Sequence, residues 1–112
     1  MKSDPPIAVS DSGFCFGNLV VDWVEIKEIV AFKLDLVTWD EVRFAFRTSE
    51  KHDDLWIEIS EDQPGFKVLL GELIKRFPSV RGWEERVVKP AFATNRTRLF
   101  ISEWSDSAAS GR

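Results

Sequence analysis

Val24-Glu25-Ile26-Lys27-Glu28-Ile29-Val30-Ala31-Phe32-Lys33-Leu34-Asp35-Leu36 is the stretch on which the fold turns. Ile26, Val30, Phe32, Leu34 and Leu36 share one parity, interrupted only at Glu28, while Lys27, Ile29, Ala31, Lys33 and Asp35 share the other. Successive side chains of a strand point to opposite faces, so period two marks a half-buried strand. A helix would need apolar residues three and four apart. The expectation is therefore a strand with its even-numbered side chains in the core and its odd-numbered ones toward water. Thirteen residues exceed the usual strand of about 5–6, so a bend is expected near Glu28.

Downstream, Thr38-Trp39-Asp40 is turn material. Val42, Phe44 and Phe46 then alternate with Arg43, Ala45 and Arg47. Ser49 to Asp54 is wholly polar and reads as a hairpin loop, after which Leu55, Ile57 and Ile59 alternate with Trp56 and Glu58. Strands joined by short polar loops make an antiparallel meander with one dry and one wet face. Upstream, Phe14-Cys15-Phe16 is a short strand ended by Gly17-Asn18, and Arg98-Leu99-Phe100-Ile101 is a last one.

After Ser60 the period changes. Phe66, Leu69, Leu70, Leu73, Ile74 and Phe77 form one stripe of an amphipathic helix. Ser60 and Gln63 have the spacing of a capping box, Glu61 and Asp62 suit the positive end, Pro64 fits the first turn, and Pro78 is the stop. Burying the six stripe residues contributes about 10–15 kcal/mol before entropy is subtracted, enough to require the helix on the dry face of the sheet. Trp83 to Ala93 reads as an irregular wrap. The fold class is α+β: an antiparallel β-meander of four to five strands with one amphipathic helix, over about 61–77, packed on one face. The 112 residues form a single domain, with 1–12 a loose N-terminal lead-in and 105–112 a flexible tail.

Composition narrows the function. Nine Phe and five Trp with no Tyr point to a thick aromatic core. The net charge is −4, and the basic cluster Arg81, Arg86, Lys89, Arg96 and Arg98 is broken by Glu84 and Glu85. A mixed-charge surface, rather than nucleic-acid binding, follows, because phosphate contact needs a basic face. Residues 1–6 lack the apolar run of a signal peptide and no stretch has the length of a membrane span, so a cytoplasmic protein with no membrane partner is expected. On that reading the sequon Asn95-Arg96-Thr97 is chance.

The stretch Trp23-x-x-Ile26-x-x-Ile29-x-Ala31-x-Lys33-x-Asp35-Leu36-x-Thr38-x-Asp40 resembles a family of small uncharacterised bacterial proteins. The similarity continues in Trp56-x-Glu58-Ile59-x-Glu61, in Pro64-Gly65-Phe66 and in Pro90-Ala91-Phe92-Ala93-x-Asn95-x-Thr97. It covers roughly residues 20–100 and implies a shared fold, with no activity to carry over. The order of strands followed by helix resembles a reduced pleckstrin-homology-like fold, an analogy of architecture alone. Proteins of this size and style include immunity partners of bacterial toxins.

No residue set meets the minimum for catalysis. Cys15 is the only thiol and His52 the only imidazole. Cys15 lies between two Phe, where apolar surroundings leave a thiol inert, and His52 lies in a polar loop. His52-Asp53-Asp54 lacks a second soft ligand, so neither metal nor cofactor is expected. The candidate site is instead the wet face, Lys33, Asp35, Arg43, Arg47, Trp56 and Glu58, where a large ring among charges has the look of an interface anchor. The turn Thr38-Trp39-Asp40 is a second candidate. The leading expectation is a non-catalytic interaction module that binds a protein partner or a second copy of itself. The alternatives are a small-ligand-binding domain with a pocket between helix, sheet and the Trp83–Phe92 wrap, or, as the resemblance implies, an immunity-type partner of a bacterial toxin.

Overall fold

The computed structural model describes residues 5–35, 40–48, 56–87 and 96–102. They form two antiparallel sheets and two helices, the α+β class expected. The first sheet comprises β1 (Ala8–Val9), β2 (Gly13–Phe16) and β3 (Leu19–Asp22) in sequential order. A 3₁₀ turn over Trp23–Glu25 leads into the second sheet. Its strands are β4 (Ile26–Asp35), β5 (Asp40–Thr48), β6 (Trp56–Ser60) and β7 (Thr97–Ile101), arranged β6-β5-β4-β7. Between β6 and β7 come helix α1 (Phe66–Arg76), a 3₁₀ turn at Pro78–Val80 and a short helix α2 (Trp83–Val87).

The stripe of α1 lies as its spacing predicts: Phe66, Leu69 and Leu73 are buried, Phe77 follows them, and Leu70 and Ile74 pack at the margin. Its start does not. Gln63 does accept from the Ser60 amide at 2.8 Å, but its own amide donates to the Ser60 carbonyl at 3.0 Å, which closes a tight turn instead of opening a helix. Gly65 follows with φ of 92°, a left-handed conformation that L side chains rarely adopt. Helical geometry therefore begins at Phe66 and not near 61. A Cβ at Gly65 would also collide with the carbonyl of Ile7.

That collision points to a second correction. Within the segment expected as a loose lead-in, Ile7 is buried and its amide donates to Pro64 O at 2.8 Å. Gln63 Nε2 donates to Pro5 O, and Ala8–Val9 pair with Phe14 and Cys15. Pro5 and Ile7 thus hold the turn before α1, and Ala8–Val9 join the small sheet. The tail at 105–112 lies outside the described residues. Of the irregular wrap expected from Trp83 to Ala93, Trp83–Val87 is helical instead, with Trp83 and Val87 buried and Trp83 edge-on to Phe44 at a ring-centroid distance of 5.2 Å, while residues 88–93 lie outside the described residues.

One core fills the space between the two sheets and the helices. Phe14 from the small sheet meets Phe46 of β5 at 5.2 Å, while Phe44 meets Phe66 at 5.4 Å and Phe77 meets Phe100 at 4.6 Å. Tilted and edge-on rings at these separations contribute attraction beyond the area they bury. Every inward residue of β5 and β6 belongs to the predicted parity: Val42, Phe44 and Phe46, then Ile57 and Ile59.

Strand β4 departs from its predicted parity. The ladder with β5 shifts register between Ile26 and Glu28, so Lys27 is an extra residue. A bulge of this kind exchanges the faces of everything beyond it. Ile26 stays in the main core as expected, but after the bulge Ile29 and Ala31 point inward, while Val30 and Phe32 form a separate cluster with Ala45 and Leu34. The irregularity expected near Glu28 is therefore present, and it inverts the assignment of 29–34.

Candidate interaction face

The face of the large sheet away from α1 is fixed by the register. Across β4, β5 and β6 its rows are Glu28–Arg47–Trp56, Val30–Ala45–Glu58 and Phe32–Arg43–Ser60. Four of the six residues expected there are present: Arg43, Arg47, Trp56 and Glu58. Lys33 is not among them. It pairs with Val42 on the inward row and is almost wholly buried, the direct result of the bulge at Lys27. Asp35 pairs with Asp40 in the ladder, on the row continued by Lys33 rather than by Arg43. Of the second candidate, Asp40 opens β5, whereas Thr38 and Trp39 lie outside the described residues.

The face is organised in two layers. Beneath lies the small apolar cluster of Val30, Phe32 and Ala45, with Leu34 at its margin. Above it charged side chains pair. The Glu28 carboxylate accepts from Arg47 Nε at 3.1 Å and from Arg98 Nε at 3.0 Å, and its side chain is only 12% exposed. Glu58 stands 3.7 Å from Arg43 and 3.6 Å from Arg96. Arg43 also reaches Glu41 at 3.5 Å, and the Ser60 hydroxyl donates to Glu41 Oε2. Two arginines on one carboxylate are held more firmly than an isolated surface pair, which contributes about 0–1 kcal/mol.

Two aromatic rings interrupt this pattern of paired charge. Trp56 is 39% exposed at the edge of the face. Arg96, which precedes β7, lays its guanidinium 4.3 Å from the centroid of Phe32 and 6.0 Å from that of Trp56. Glu28, Val30, Phe32, Arg96 and Arg98 are members of this face that the sequence alone does not assign to it. Phe32 was missed through the parity inversion. Arg96 has no local signal, because the three groups it touches all come from distant strands.

The remaining sites offer less. Cys15 is half-buried on the outward side of β2, opposite Ala8 and the exposed Val20, rather than in the core. His52 is outside the described residues. Among the described residues no three His, Cys, Asp or Glu side chains are grouped to hold a metal ion, and no helix is long and apolar enough to cross a membrane. Where the small-ligand reading placed a pocket, Trp83 and Val87 are packed into the core. A groove of about 390 Å³ lies elsewhere, between β1 and α1, with Val9, Val68, Glu72 and Arg76 on its walls. The chain matches no protein-family model, no curated protein and no solved structure.

Proposed function

We propose that this protein is a non-catalytic interaction module whose outer sheet face binds another protein. The observation that supports this is Trp56: a large ring left 39% exposed on a face that otherwise covers its apolar residues with paired charge. Exposing a side chain of this size forgoes part of about 1.5–3 kcal/mol of burial. Aromatic and arginine side chains set together on an exposed patch are the composition of binding hot spots. A protein partner is the leading reading, and a second copy of the chain is the other occupant that the same face would suit.

The test compares wild type with the double variant Trp56→Ser, Arg43→Glu. Neither side chain belongs to the main core, so circular dichroism of the variant should match wild type. Proteins retained by immobilised wild type from an extract of the native host should be lost from the folded variant, or a wild-type dimer seen by light scattering should become a monomer. A monomeric wild type whose retained proteins are the same as those of the variant would remove the reading.

A further inference from the structure

We propose that the outer face recognises an arginine side chain of its partner, and that Arg96 occupies that arginine's place when the protein is alone. This rests on the interaction reading above and names the chemistry of the partner.

The register supplies the geometry. Ala45 sits at the centre of the face, with Val30 and Glu58 beside it on the neighbouring strands and Arg43 and Arg47 two residues away on its own. Its short side chain is fully covered and packs with Val30 and Phe32 as the apolar floor of the face. Phe32 and Trp56 stand at diagonal corners of the patch around Ala45, and because the Arg96 guanidinium lies 4.3 Å from one ring centroid and 6.0 Å from the other, the two rings are at most about 10 Å apart. That is the separation at which one planar cation meets both rings. Glu58 adds a carboxylate on the same side. Two aromatic faces and an anion around a small floor are a guanidinium site, since guanidinium stacks on rings while its N–H edge binds carboxylate.

Arg96 satisfies each of these groups: Phe32 at 4.3 Å, Trp56 at 6.0 Å and Glu58 at 3.6 Å. Its position in the chain makes it the replaceable member. Arg43, Arg47 and Arg98 project from paired strands, which fix where their stems start. Arg96 precedes β7, outside the ladder, and its side chain is 51% exposed. An arginine offered by a partner would meet the same rings and the same carboxylate, and Arg96 would move into water at small cost. Occupation in cis multiplies the apparent affinity by the fraction of molecules in which the site is open. For an exposed cation–π contact that fraction corresponds to about a fivefold effect.

The probe is N-acetyl-arginine N-methylamide, with the neutral isostere N-acetyl-citrulline N-methylamide as control. Binding is read from assigned amide and indole N–H resonances of full-length protein. In R96A and in R96Q, which keeps much of the stem, arginine should give saturable shifts at Trp56, Ala45 and Glu58. Wild type should need roughly fivefold more probe or greater. Citrulline should shift none of these resonances, and adding E58Q to R96A should abolish the arginine response. Equal responses to arginine and citrulline, or equal affinity in wild type and both Arg96 variants, would overturn the proposal. So would shifts confined to other parts of the molecule. A host protein that still depends on Trp56 and Arg43 in that event would keep the interaction face while removing arginine as the group it reads.

Discussion

The two faces of the large sheet are built on the same backbone and solve opposite problems. The inner face of β5 and β6 carries Val42, Phe44, Phe46, Ile57 and Ile59, and it is covered by α1, α2 and the small sheet. Its rings meet tilted or edge-on, so each position depends on the shape of its neighbours. The outer face carries one shallow apolar cluster under a roof of ion pairs. Charged pairs at a surface tolerate rearrangement, because water replaces whatever contact is lost. Stability should therefore reside on one side of the sheet and recognition on the other.

The largest expected effect tests that division directly. Leu73→Ala removes a fully buried side chain facing the inner surface and should cost about 2–5 kcal/mol in urea titrations. Trp56→Ser removes a larger side chain from the outer face and should cost about 1 kcal/mol or less. Comparable losses for the two would show that the outer face is a structural core in its own right.

A smaller effect sharpens the picture within the outer face. Glu28 is its most enclosed charge, and Glu28→Gln leaves Arg47 and Arg98 without their shared anion. The expected loss is about 1–2 kcal/mol, above that of an ordinary surface pair. Because the same carboxylate joins β5 to β7 across β4, the loss should appear as faster amide exchange in β7. A change in exchange confined to residues beside Glu28 would show that it ties nothing together.

How much of this was legible in the sequence depends on how evenly apolarity is divided. In β5 and β6 one parity is aromatic or aliphatic and the other mostly charged, and the assignment there is right. In β4 both parities are apolar: Ile29 and Ala31 on one, Val30, Phe32 and Leu34 on the other. Only the bulge at Lys27 decides between them, and a one-residue insertion leaves no compositional mark. Strands β1 and β3 are too short, at two and four residues, for alternation to register. The Ser60–Gln63 pair is a capping signal read correctly as chemistry and wrongly as a helix start, because Gly65 intervenes with positive φ. The charged members of the site on β5 and β6 were visible because each lies in a clean alternation. Arg96 was not, since its role exists only once β6, β5, β4 and β7 are assembled into one sheet.

The smallest expected effect lies off the sheet altogether, on the solvent side of α1. Glu72 meets Arg76 at 3.1 Å and Lys75 at 3.4 Å, and the hydrogen bond from Arg76 holds its carboxyl below the ordinary carboxylate range. A carboxyl whose pKa is lower in the folded than in the unfolded state binds fewer protons when folded. Its contribution is complete above the unfolded pKa and is lost as pH falls through the folded one. Glu72→Gln should therefore leave the acid limb of the stability profile shallower, with wild type and variant converging at the lowest pH. At neutral pH the urea midpoint should move only slightly, because both partners are well exposed and water screens the pair. Arg76 also lies 4.8 Å over the ring of buried Trp23, a contact that does not need Glu72 to be charged. If the variant instead lost stability equally at every pH, the side chain would be acting through packing against that groove, and the outer side of α1 would belong with the inner face of the sheet.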